Sequence, residues 1–235
     1  MPTRARSVLQ LRALASIMTT SSGLTDVIMA VDADDKRCAH VTGPRVFTHV
    51  MTERKPMLHI LNEVVLANLS YYDIFGFTGD DVVYETPSWD AKVYRTLRHG
   101  IGVAYGDDGI QHDNLPTHPW FSADIVRALG YVCNPGQLHY YFDNCLKSLF
   151  QPLNSLYYLP EISTKHLHHS VVPGTFDLVY HISETCCYEK DRQAFWDYHA
   201  TGLAADIAKL TAYVDVSKLT AAPTVSQTGT HTPST

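Results

Sequence analysis

The sequence predicts one α/β domain with a mostly parallel central sheet and a C-terminal helix. Two observations carry that expectation. Amphipathic helical stretches alternate with short apolar runs of the kind that form strands covered on both faces. Three of those runs end in clustered aspartates: Asp32-Ala33-Asp34-Asp35, Gly79-Asp80-Asp81 and Gly106-Asp107-Asp108. Ligands of open α/β sheets bind beyond the carboxyl ends of strands, so three acidic strand ends predict one shared cleft. Asp and Gly are also common turn residues, an explanation that weakens with each recurrence.

The elements follow in order. Residues 7–18 place Val8, Leu11, Leu14, Ala15 and Met18 on one helical stripe. The run 27–31 (VIMAV) reads as a buried strand, and 57–68 as a helix through Met57, Ile60, Leu61, Val64 and Val65. A short strand is expected at 74–78, a helix through Trp89, Val93 and Leu97, and a third strand at 101–105. Helices are expected at 122–129 and 139–150, a strand at 155–159, and a helical stretch at 187–213 interrupted by Gly202. Residues 1–219 thus form the domain. Residues 220–235, rich in Thr, Ser and Pro without periodicity, are expected to be a disordered tail.

Composition narrows the function. The 235 residues carry a net charge of −6, without the basic excess of a duplex-coating protein. Residues 1–60 hold eight basic and five acidic side chains (+3), whereas 61–235 hold ten and nineteen (−9). A basic front end beside acidic clusters suits an anionic ligand held partly by a cation. Five cysteines, none in a CxxC, disfavour a zinc ribbon or disulfide framework. No apolar run approaches the roughly 18 residues of a membrane helix, and no signal-peptide pattern opens the chain, so a cytoplasmic location is expected. Adjacent carboxylates repel unless a cation compensates, and their hard oxygens suit Mg²⁺ or Mn²⁺. Thirteen histidines add candidate metal ligands.

The succession PTRAR, VIMAVDADD, FGFTGDD, YGDDGIQ, LPT, DIVRALGY, LHYYFDN, LYYLPE and KHLHH resembles small GT-A glycosyltransferases. It is most similar to the family-2-like enzymes encoded by bacteriophages and some bacteria. The resemblance spans roughly residues 2–200, and the order of the motifs, not any one of them, makes it specific. It implies a nucleotide-sugar-binding domain and assigns nucleotide contacts to Pro2, Thr3, Arg4, Arg6, Asp32, Asp34, Asn62 and Asp80. It implies a divalent metal, Mn²⁺ or Mg²⁺, on Asp81 and His166, with His168 and His169 as neighbouring candidates. Asp143 matches the catalytic base of inverting members. Apart from the resemblance, Asp107 and Asp108 either line an acceptor cleft or simply end a strand. A UDP-sugar is the donor the resemblance favours. Acceptors among such relatives include modified DNA bases, virion proteins and glycans, and oligomeric state carries no sequence signal. The family has an apolar strand before PTR, whereas this sequence reads Met1-Pro2 there.

Two other readings compete. YGDD is also the catalytic turn of RNA-dependent polymerases, but 235 residues at net −6 leave little for fingers and thumb, and one GDD would be idle. A non-catalytic nucleotide- or carbohydrate-binding module of the same fold is the other, and a costly carboxylate cluster argues against it.

Overall fold

The computed structural model describes residues 1–38, 41–173 and 176–220. The chain runs β1 (Pro2–Thr3), α1 (Ser7–Thr20), β2 (Val27–Asp32), β3 (Val46–Met51), α2 (Met57–Asn68), β4 (Ile74–Gly76), β5 (Val82–Tyr84) and α3 (Trp89–Leu97). It continues through β6 (Val103–Asp107), β7 (Trp120–Ser122), α4 (Ala123–Leu129), α5 (Phe142–Phe150), β8 (Leu156–His166), α6 (Leu178–Thr201) and α7 (Leu203–Thr220).

The fold is α/β, as expected, with its strands divided between two sheets. The first, in the order β1-β2-β3, is wholly parallel, with Pro2 opposite Ala30 and Val27 opposite Val46. The second runs β4-β7-β6-β8-β5 and is mixed. Its β6–β8 pair is parallel and the other three pairings are antiparallel. Strands β5 and β7 are three residues each, too short to show a period. Strand β1 is a two-residue stub; the Met1 amino group nevertheless donates to the Ile28 carbonyl at 2.9 Å. Between β2 and β4 lies a cavity of about 340 Å³ walled by Ile28, Phe75, Tyr84, Trp89 and Trp120.

Helix α1 differs from the expected stripe. Val8 and Leu11 are exposed, and the buried face is Gln10, Ala13, Leu14 and Ile17. These positions keep helical spacing, but a glutamine breaks their apolar pattern; its amide nitrogen donates to the Met29 sulfur at 3.0 Å, while among the described residues its buried oxygen has no hydrogen-bond partner. Helix α3 buries Trp89, Val93 and Leu97 as expected. Trp89 stacks on Trp120 at 5.2 Å, joining α3 to β7. A second core gathers Phe121, Ile125, Leu146, Phe150 and Leu210 beneath α4, α5 and α7.

The C-terminal helical stretch is longer than predicted and breaks at Gly202, between α6 and α7. A Cβ there would strike the Tyr198 ring. Tyr198 and Tyr131 both donate to the buried Asp206, which ties α7 back to the domain. Of the expected disordered segment, Thr220 ends α7, and 221–235 lie outside the described residues. Among the described residues, no helix is long and apolar enough to cross a membrane.

Candidate metal and nucleotide site

The three acidic strand ends meet along one edge of the fold, joined by side chains from PTRAR. Thr3 donates to Asp80 at 2.9 Å, linking β1 to the GDD loop between β4 and β5. Ala5 takes a left-handed φ of 55°, and its amide donates to Asp35 at 2.6 Å. Such a conformation costs a non-glycine residue free energy that surrounding contacts offset. On either side of it the two arginines reach different acids. Arg4 bonds Asp32 at 2.7 Å and grips Asp34 through both terminal nitrogens at 2.6 and 2.8 Å. Arg6 reaches Asp80 at 3.2 Å and holds Asp177 by two bonds of 2.6 and 2.7 Å.

Asp177 is the N-cap of α6, accepting the amides of Val179 and Tyr180. Its pairing with Arg6 therefore fixes the start of a 24-residue helix against the first sheet. One turn on, Tyr180 lies under the Arg6 guanidinium, 4.3 Å from ring centre to carbon, and its hydroxyl donates to Asp81. Farther along α6, Asp191 accepts the amides of Leu138, His139 and Tyr140. Helix α6 thus clamps both the GDD loop and the segment leading into α5.

Asp81 and His166 come together as predicted by their motifs. The Asp81 carbonyl accepts from Leu167 at 2.8 Å and that of Asp108 from His166 at 3.4 Å, so the end of β8 is stitched to both acidic loops. The His166 ring consequently lies between two carboxylates, with Nε2 3.6 Å from Asp81 and Nδ1 3.8 Å from Asp108. Burial disfavours the imidazolium, but Asp108 and Asp81 outweigh it and raise the pKa to about 9. Burial likewise opposes ionisation of Asp81, yet His166 and Tyr180 hold it well below the usual carboxylate range. For Asp80 burial wins over Arg6, and its pKa rises to about 6.

Asp108 is nearly inaccessible. One oxygen accepts the amides of Ile110, Gln111 and His112, and the other accepts the Thr117 hydroxyl at 2.9 Å. Beside it, His118 is buried with neither ring nitrogen hydrogen-bonded, edge-on to His166 at 4.6 Å. Donor atoms of Asp108, His118 and His166 all lie within 4.8 Å of one another. Two imidazoles and a carboxylate so placed, one imidazole without partners, fit a divalent ion.

The other predicted residues fall at different distances from this centre. Asp32 is buried, and among the described residues its Oδ1 has no hydrogen-bond partner. Asp107 is half-exposed and pairs with His112 at 2.9 Å. Asp143 sits in the first turn of α5, and burial, with a contribution from Asp108, raises its pKa above the usual range. Among the described residues Asn62 bonds the backbone of the 132–133 segment: its oxygen accepts from Val132 and Cys133 and its nitrogen donates to the Cys133 carbonyl. His168 accepts from Ser170, and His169 faces Glu184 at 3.4 Å.

Sequence reasoning missed His118 and Tyr180 and assigned Asp108 only to an acceptor cleft. Thr117-His118-Pro119 lies beside the quoted LPT motif, so a polar residue fixed ahead of a proline was a usable signal. Tyr180 had none, because its position depends on the Asp177 cap.

No family model and no curated protein sequence matches the chain. Among solved structures it is similar to the mannosyltransferase PcManGT from Pyrobaculum calidifontis, determined in complex with GDP-Man and Mn²⁺. The two share 11% identity with a TM-score of 0.52, over 95% of this chain and 74% of that one. Its architecture is therefore a glycosyltransferase fold, with the clustered acids at its strand ends.

Proposed function

We propose that this protein is a metal-dependent glycosyltransferase moving a sugar from a nucleotide-sugar donor to a hydroxyl acceptor. The observation that carries the reading is the convergence of Arg6, Asp80, Asp81, Asp108 and His166 at the strand ends of a glycosyltransferase fold. Thr3, Arg4, Arg6, Asp32 and Asp34 would contact the nucleotide, the free Asp32 oxygen receiving a base N–H or ribose hydroxyl. The motif resemblance assigns the divalent ion to Asp81 and His166; His166 also belongs to the Asp108–His118–His166 group, whose donor atoms could hold it, with Asp81 against the other His166 nitrogen. When bound, such an ion offsets the charge that develops on a diphosphate leaving group.

Asp143 would take the acceptor proton as the acceptor oxygen attacks the anomeric carbon. The bond from that carbon to the diphosphate breaks with its electron pair leaving on phosphate, and one displacement inverts the configuration. The motif resemblance favours a uridine donor, and the structural neighbour was solved with a guanosine one. The test is a panel of UDP- and GDP-sugars, with Mn²⁺ or Mg²⁺, followed by calorimetry and by release of free nucleoside diphosphate. Binding of one donor with metal-dependent release is expected. Absence of binding across the panel refutes the proposal.

A further inference from the structure

We propose that Asp108, His118 and His166 form a resident transition-metal centre, which takes a borderline ion such as Co²⁺, Zn²⁺ or Mn²⁺ in preference to Mg²⁺. The inference deepens the transfer reading by locating and typing the ion of that site, but it rests on donor chemistry that requires no nucleotide.

His118 carries the argument. It is 8% exposed, and among the described residues neither ring nitrogen has a hydrogen-bond partner. A buried polar group left unpaired is unfavourable enough that native structures rarely keep one without a reason. Phenylalanine would fill an apolar niche of this shape without that cost. The ring instead sits edge-on to His166 and beside Asp108, with one donor atom from each residue inside a 4.8 Å triangle. Ligand atoms about 2.0–2.2 Å from a shared ion lie somewhat closer together than that limit, so the triangle needs only a small contraction to hold one.

Asp108 is already oriented for the task. Three backbone amides saturate Oδ1, leaving Oδ2, with Thr117 on one side, facing His166 Nδ1. The opposite nitrogen of His166 faces Asp81 at 3.6 Å. Metal-bound imidazoles commonly donate their second N–H to a carboxylate, which fixes tautomer and ring plane. Asp81 therefore supports the ligand His166 from behind and, held by Tyr180, remains next to Asp80 and Arg6. Two imidazoles in a three-residue set select the ion. Neutral nitrogen suits Co²⁺ and Zn²⁺ and is accepted by Mn²⁺, whereas Mg²⁺ demands oxygen and retains its waters.

The experiment uses the full chain, stripped with a chelator and free of nucleotide. Co²⁺, Zn²⁺, Mn²⁺ and Mg²⁺ are titrated by calorimetry, and the Co²⁺ form is examined by visible and X-ray absorption. One equivalent of Co²⁺ should bind at least about 100-fold more tightly than Mg²⁺, with a scattering pattern of two imidazoles. His118→Leu should weaken Co²⁺ by about 100-fold or more, while Asp81→Asn, acting through His166, should weaken it by about 10- to 100-fold. Equal affinity for Mg²⁺, or fewer than two imidazoles in the parent's spectrum, overturns the centre. So does parental Co²⁺ affinity in a folded His118→Leu. The parent spectrum decides the question even if that variant does not fold. A two-imidazole centre in a chain that binds no sugar nucleotide leaves this inference standing and removes the transferase reading. Sugar transfer without a two-imidazole centre does the reverse.

Discussion

Replacing Asp191 tests whether α6 holds the site together. Its carboxylate is fully buried and accepts the amides of Leu138, His139 and Tyr140 at 2.6, 2.8 and 2.8 Å. Hydrogen bonds to a charged acceptor contribute about 1.5–3 kcal/mol each, and a buried donor left unpaired costs about 1–3 kcal/mol. Asp191→Ala strands three donors at once, so even at the low end the loss is about 3 kcal/mol. Water entering the space left by the carboxylate limits the upper end. A domain is stable by about 5–15 kcal/mol in total, so the variant should fold but with a large part of its margin gone. Asp191→Asn keeps an acceptor without the charge and should lose about half as much. Urea unfolding at neutral pH, followed by tryptophan fluorescence and circular dichroism, reads both values, provided the slope against denaturant is unchanged. If Asp191→Ala unfolds within about 0.5 kcal/mol of the parent, the three bonds do not anchor the helix as argued.

Asp143→Asn should leave donor binding intact and reduce transfer by about 10²–10⁴-fold; near-parental transfer removes the proton-acceptor role. Because burial raises the Asp143 pKa, parental activity should fall on the acid side at a pH above the ordinary carboxylate range as that base protonates. For Asp35, burial works against ionisation, but the amides of Ala5 and Arg37 outweigh it and depress its pKa. The stability this supplies is present above the unfolded-state value of 3.8 and is lost as pH falls through the lower folded value. Asp35→Asn should therefore flatten acid unfolding; an unchanged acid limb in thermal melts counts against it. Gly106 lies where the β6–β8 register shifts, and a Cβ there would overlap the Ile162 carbonyl. Gly106→Ala should cost about 1–3 kcal/mol, and a melting temperature equal to the parent's would show that the bulge can relax.

Long amphipathic segments were legible in the sequence because burial and helical spacing coincide in them. Helix α2 has the expected bounds, and α3 buries the three residues its spacing singled out. Helix α1 misled because Gln10 occupies a core position, its amide nitrogen donating to a methionine sulfur 19 residues away. Strands β5 and β7 were illegible for a different reason. At three residues each they exist because β8 and β4 offer edges to pair with, which is tertiary information. At the site, charged motifs beside strand ends could be read one by one. Asp81 and His166 did come within 3.6 Å, whereas Asn62 kept its motif position while spending its hydrogen bonds on the 132–133 backbone.

On the transferase reading proposed above, the charge balance of the site explains why a cation would accompany an anionic donor. Asp32, Asp34, Asp80, Asp81, Asp108 and Asp177 are met by Arg4, Arg6 and a protonated His166. Six carboxylates against three cations leave about three negative charges if every acid is ionised, or about two if Asp80 takes up a proton near its raised pKa of about 6. A nucleoside diphosphate sugar brings more negative charge, and in a buried setting like charges at short range are strongly unfavourable. A divalent ion reverses the balance locally. It also frees His166 from its role as counter-ion, since a coordinating imidazole must give up its proton. Arg6 is then the residue that connects the halves. It leaves neither Asp80 nor Asp177 unpaired, so a phosphate can reach it only by sharing it with acids that the incoming ion helps to neutralise.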